Sequence, residues 1–299
     1  MYRGENKSIM WSKIYMIARK VFVYLVLIAL SILCLFTIYV LFTCSSKSHT
    51  TLMRSYTSGF GKSFGKNFYN VFLASGDKSF EQIYKTKFIV GMRNSFIVAA
   101  GATLCCVYFS TVTAYAIHMY RFKLRNAAFT FILVIMMIPT QVSTAGFVVM
   151  CYNFKMVNHF FPLILPSIAS PVTFFYIKQY MESVLPFEMV EAARVDGAGE
   201  IRIFHQIVLP VMKPALAVQV IFAFVASWNN YFLPNLILTD AKYKTLPIIV
   251  AALRSATDAT MDYGMIYMVI FLAIVPLTVV YFIFSRFIMK GLTLGAVKG

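Results

Sequence analysis

Long apolar runs alternate with short polar connections along this chain. Six of the runs, at 21–44, 96–117, 127–150, 160–177, 214–238 and 265–284, are close to or beyond the length of a membrane-crossing helix. Such a helix needs about 20 residues to cover roughly 30 Å of hydrocarbon. The fourth run holds Pro162, Pro166 and Pro171, which membrane helices accept when neighbours satisfy the freed carbonyls. The pattern predicts an all-α integral membrane protein with six transmembrane helices. It divides into an N-terminal segment 1–20, a first helix 21–44, a polar loop 45–87, a core 88–285 and a tail 286–299. Within the core, residues 186–210 form a polar cassette between the fourth and fifth runs.

Composition agrees with this reading. Only 13% of the 299 residues are charged and 60% are hydrophobic, whereas soluble domains carry about 25% charge. The net charge of +16 does not point to nucleic acid, because Lys and Arg sit in short loops around apolar runs rather than on one amphipathic face. Their distribution predicts that both termini lie inside, with one exception. Residues 45–95, between the first two apolar runs, carry Lys47, Arg54, Lys62, Lys66, Lys78, Lys85, Lys87 and Arg93; long loops cross the membrane largely regardless of charge. The first apolar run is too long for a signal-peptide core and no small-residue cleavage site follows it, so it is expected to remain as an anchor.

Several chemistries are disfavoured. The five cysteines, Cys34, Cys44, Cys105, Cys106 and Cys151, lie in or at the ends of apolar runs, where Cys behaves as a small hydrophobe, so neither a disulfide framework nor a metal is expected. His49, His118, His159 and His205 form no i, i+4 pair. Gly61-Lys62-Ser63 imitates the end of a phosphate-binding loop, but Tyr56 stands where that motif needs glycine. No span holds Asp or Glu well inside its apolar run, which argues against an ion-coupled secondary transporter, the rival class, since coupling needs a group that charges and discharges at depth. A transport subunit without catalytic residues is the expectation.

The cassette is the most specific feature. Pro186 suits a helix start, with Glu188 favoured at the positive end of the helix dipole. Met189, Ala192 and Ala193 share a narrow face, and Asp196-Gly197 reads as a break, because glycine takes the left-handed angle that ends a helix. A second short helix follows, with Ile201, Phe204 and Val208 on one side and Ile203 and Ile207 beside them. Pro210 is expected to stop it, and Pro214 to restart a helix as the fifth span. Taken alone, two amphipathic helices could simply lie on the membrane surface.

The order of residues says more. Glu191-Ala192-Ala193, Asp196-Gly197-Ala198, then Phe204 and Leu209-Pro210, is similar to the EAA loop of permease subunits in binding-protein-dependent ABC importers. Asn94-Ser95, Ala114-Tyr115, Pro139, Ile164-Leu165-Pro166-Ser167, Ser227-Trp228-Asn229-Asn230, Thr245-Leu246-Pro247 and the terminal stretch from Gly291 to Gly299 resemble the carbohydrate branch, and the tail resembles that of the maltose-type second permease. The likeness covers about 88–299; residues 45–87 resemble nothing recognisable.

This resemblance implies a type I ABC importer permease fold in a bacterial cytoplasmic membrane, both termini cytoplasmic, that forms half of the path for a carbohydrate, expected to be an oligosaccharide. Glycerol-phosphate, amino-acid and polyamine importers share the loop and are the alternative. The implied ATPase-coupling residues are Glu191, Ala192, Ala193, Asp196, Gly197, Ala198, Phe204 and Pro210, with Gly295, Val297 and Lys298 contacting the ATPase from the tail. The implied partners are a second permease, two ATPase subunits, an external sugar-binding protein and membrane lipid, with no nucleic acid. ATP and Mg would be bound by the ATPases and no cofactor by this chain. Trp228, Asn229 and Asn230 suit a substrate path, because a sugar stacks its C–H face on an indole and bonds its hydroxyls to amides; the same trio suits an interfacial anchor.

Overall fold

The computed structural model describes residues 2–54, 59–72, 81–254 and 262–296, all in helices and their connections. The helices are α1 (Tyr2–Ser45), α2 (His49–Arg54), α3 (Phe64–Phe72), α4 (Glu81–Met119), α5 (Arg125–Met136), α6 (Thr140–Asn153), α7 (Phe161–Ile164, continued by a 3-10 turn Leu165–Ile168), α8 (Pro171–Val184), α9 (Phe187–Val195), α10 (Glu200–Ile203), α11 (Leu209–Trp228), α12 (Phe232–Ile237), α13 (Leu246–Arg254) and α14 (Tyr263–Ala296). Five continuous stretches are long and apolar enough to cross a membrane: Ile14–Ser45, Phe88–Met119, Phe161–Val184, Glu200–Trp228 and Tyr263–Ile288. The third predicted run is instead divided into α5 and α6. Pro139, with φ −61° and ψ 122°, caps α6; it lacks an N–H and pushes the preceding residue out of the helical region, so a single helix cannot pass.

The fifth span corrects the expected boundaries at both ends. Pro210 does not stop the preceding helix, and the helix does not wait for Pro214 to begin. Glu200 opens a continuous helix to Trp228 that passes through a π-helical turn, Phe204–Val208. There the Leu209 N–H bonds to the Phe204 carbonyl, five residues back. The wider turn shifts the bonding register just where Pro210 can offer no donor, so the chain continues instead of breaking. At the other end α11 stops at Trp228, and 232–237 form the separate helix α12.

The chain divides into two compact units, 1–69 with 262–271, and 70–261 with 272–299. In the first unit the amide of Asn67 donates to the Ser45 and Lys47 carbonyls, each at 2.9 Å. Phe42 packs against Phe60, Phe64 and Phe271 at ring separations of 5.0, 5.8 and 5.3 Å. Part of the predicted polar loop is therefore folded.

The second unit is built around α4, which packs on α8 and α11. One end of α4 is fastened to the segment before α13. Buried Asn94 donates to the carbonyls of Lys242 and Lys244 at 2.9 and 3.0 Å, and Ser95 accepts the Leu246 N–H at 2.8 Å. One turn away, a Cβ on Gly91 would collide with Ile249 and meet the Leu246 backbone at 3.3 Å, so glycine is what lets the two helices touch. Asn94→Ala removes both of these part-buried hydrogen bonds and is expected to destabilise the chain by about 1–3 kcal/mol, read as a lowered thermal midpoint in detergent.

Candidate functional site

The cassette folds as a helical hairpin. Pro186 stands at the N-cap of α9 in an extended conformation, φ −69° and ψ 148°, rather than inside the first turn. α9 ends in a Schellman motif: Gly197 N–H bonds to Arg194 O and Ala198 N–H to Ala193 O, both at 3.0 Å. Gly197 has φ +80°, and nothing lies within 4 Å of where its Cβ would be. The demand for glycine here is therefore conformational and not steric.

The inner face of the hairpin is embedded. Val190, Ala193, Ile203, Phe204 and Val208 are buried with Ala114, Tyr115, Ile117 and Met119 of α4 and Ile177 and Met181 of α8. Tyr115 sets its ring 5.6 Å from Phe204, and its hydroxyl donates to Glu200 Oε2 at 2.9 Å. The other carboxylate oxygen of Glu200 accepts from Arg194 Nε at 2.7 Å. Arg194 thus closes the turn back on itself, its guanidinium 5.4 Å from the Tyr120 ring. The hydrogen bond to Glu200 raises the hold of Arg194 on its proton. His118, at the end of α4, bonds through Nε2 to Leu185 O at 3.1 Å and stacks on Phe187 at 4.9 Å, which fixes the entry to α9.

The coupling residues expected from the sequence fall on two faces. Ala193 and Phe204 are buried and Ala198 is half-buried, whereas Glu191, Ala192, Asp196, Gly197 and Pro210 are exposed. Beside the exposed set stand Val195 and Ile201, 87% and 79% exposed. Ile201, expected on one side with Phe204 and Val208, is exposed, and Ile203, expected beside them, is buried with them, because the π turn changes which residues face α4. Sequence reasoning missed the Tyr115, Arg194 and Glu200 set. The six-residue separation of Arg194 and Glu200 across a glycine turn was a readable signal; Tyr115, far off in the chain, was not.

The remaining expected residues are scattered. Trp228 is buried, stacks on Phe224 at 5.6 Å and donates its indole N–H to Ala273 O at 3.2 Å. Asn229 is exposed. Asn230 lines a cleft of about 830 Å³ between α4, α7, α8 and α11. Gly295 lies in the last turn of α14, while Val297 and Lys298 lie outside the described residues.

Arg194 and Glu200 are each about one-third or more exposed, so their coupling is expected to be modest. A double-mutant cycle with Arg194→Met and Glu200→Gln should give about 0.5–1 kcal/mol, measured by thermal unfolding in detergent and shrinking as salt is raised.

Known proteins share this organisation. Residues 107–293 match the family described as binding-protein-dependent transport system inner membrane component. The chain is 34% identical over 206 residues to the arabinooligosaccharides transport system permease protein AraQ of Bacillus subtilis, covering 69% of this chain and 72% of that protein. It is 31% identical over 274 residues to the sn-glycerol-3-phosphate transport system permease protein UgpE of Yersinia pestis, covering 91% and 95%. Its fold superposes with a TM-score of 0.74 on a chain of a bacterial ABC transporter involved in import of the acidic polysaccharide alginate, at 18% identity and covering 92% and 96%. With several apolar helices of spanning length and a family match over most of its length, the chain belongs to the inner-membrane permease components of binding-protein-dependent transport systems.

Proposed function

We propose that this chain is one of two permease subunits of an ATP-driven importer for an oligosaccharide, gripped by separate ATPase subunits at α9 and α10. The observation that carries this reading is the outward face of the hairpin, where Val195 and Ile201 stand 87% and 79% exposed beside Glu191, Ala192 and Asp196. Large aliphatic side chains on a short polar hairpin gain nothing from water and are what the centre of an interface needs. The opposite face is embedded against α4 and α8, so a push on the hairpin would reach the spans. ATP and Mg would be handled by the ATPases, with Gly295, Val297 and Lys298 of the tail as a second contact. An external binding protein would deliver the sugar and a second permease would complete the path. The chain would lie in a bacterial cytoplasmic membrane with both termini inside.

The named relatives carry different cargoes, arabinooligosaccharides in one system and sn-glycerol-3-phosphate in another. The lining of the 830 Å³ cleft, and of a neighbouring one of about 620 Å³ between α4, α5 and α8, contains no Lys or Arg. A phosphorylated cargo would favour guanidinium or ammonium groups there, so a neutral sugar is the better fit.

Two variants test the coupling role. Val195→Asp, at an exposed position, should change the stability of the chain by no more than about 0.5 kcal/mol, yet abolish recovery of the ATPase in affinity purification. Gly197→Pro replaces φ +80° by about −65° and should leave a folded complex without transport-coupled ATPase activity. Full activity of both would overturn the coupling role. The ligand of the binding protein that co-purifies with the assembly names the cargo.

A further inference from the structure

The 830 Å³ cleft contains a polar group that the chain does not satisfy. Gln219 lies on α11, about 14 Å along the helix from Trp228, and lines the cleft. It is only 6% exposed, and its side-chain amide has no hydrogen bond among the described residues. Every other residue from Ala215 to Phe224 is apolar. An amide at this depth costs stability unless something bonds to it.

The facing wall is irregular backbone. The chain leaves the helical region at Ala169 (φ −99°, ψ 76°) and Ser170 (φ −107°, ψ 93°), then restarts as α8 at Pro171. Ser170 does not cap α8; its hydroxyl donates instead to Thr173 Oγ1 at 2.9 Å. The first turn of α8, Pro171 to Thr173, lines the same cleft, as do Ser167, Tyr176 and Asn230. Broken helices at membrane depth are tolerated where they line a cavity, and the free amides of a helix start bond to oxygen.

We propose that Gln219 and the interrupted backbone at Ala169–Ser170, with the first turn of α8, form a subsite on this chain that binds hydroxyl groups of a neutral carbohydrate cargo as it passes. A hydroxyl both donates and accepts. The Gln219 amide offers both complements, the backbone N–H groups that follow Pro171 at the start of α8 only donate and so select an acceptor oxygen, and the Tyr176 ring offers a surface for a sugar C–H face. The lining carries neither Lys, Arg, Asp nor Glu, so an anionic or cationic solute finds no counter-charge there. The subsite deepens the carbohydrate reading and rests on it.

The test uses the complete reconstituted transporter with its binding protein in proteoliposomes, and arabinotriose, maltotriose and glycerol 3-phosphate as probes. Gln219→Met removes the amide and keeps the length of the side chain. It is expected to leave the thermal midpoint unchanged or raised, to keep binding-protein-stimulated ATPase activity within about twofold, and to cut transport of the accepted trisaccharide about tenfold, the worth of one neutral hydrogen bond. Gln219→Asn should recover part of that loss. Unchanged trisaccharide transport in Gln219→Met, or a lowered midpoint marking an internal structural role, overturns the subsite and leaves the importer reading standing. If the unmodified assembly moves glycerol 3-phosphate and neither trisaccharide, the carbohydrate reading fails and the subsite with it.

Discussion

Burial of Ile203, Phe204, Val208 and Val190 against the ends of α4 and α8 is the contact that ties the hairpin to the rest of the second unit. Each such side chain, removed from water, is worth about 1.5–3 kcal/mol, whereas the partly exposed Arg194–Glu200 pair contributes under about 1 kcal/mol. Apolar embedding therefore supplies the strength of the joint, and the polar contacts supply its direction. Glu200 takes one hydrogen bond from the turn it belongs to and another from α4. The hairpin is thus fastened at its root by apolar and polar contacts together.

Much of this was legible in the residues. The apolar runs located the spans because each must be long enough to cross the bilayer. Gly197 announced its turn because few other residues accept φ +80°. Two of the failures have a common origin in proline. Pro139 divides a run that hydropathy alone reads as continuous, while Pro210, expected to end a helix, is accommodated by a π turn beginning at Phe204. Whether a proline breaks a membrane helix depends on what its neighbours offer the freed carbonyls, and that is a property of packing.

The long-range polar contacts were illegible for the same reason. Asn94 is bonded to carbonyls about 150 positions away, and Tyr115 to Glu200 across 85. Gln219 was passed over because a single amide in an apolar run has no periodicity to betray it. Trp228 was conspicuous as a residue type, yet it is held inside the unit by Phe224 and the Ala273 carbonyl.

The π turn at Phe204–Val208 also sets an angle. A helix advances about 100° per residue, and a turn that accommodates one residue more than usual rotates everything on one side of it by a comparable amount about the shared axis. The azimuth of α10 relative to α11 is thus set by backbone register together with the side-chain contacts of Glu200 and Ile203. The length between Ile203 and Leu209 therefore matters as much as the residues in it, because one residue more or less would turn Ile203 away from the cluster that it shares with Val208 and Met212.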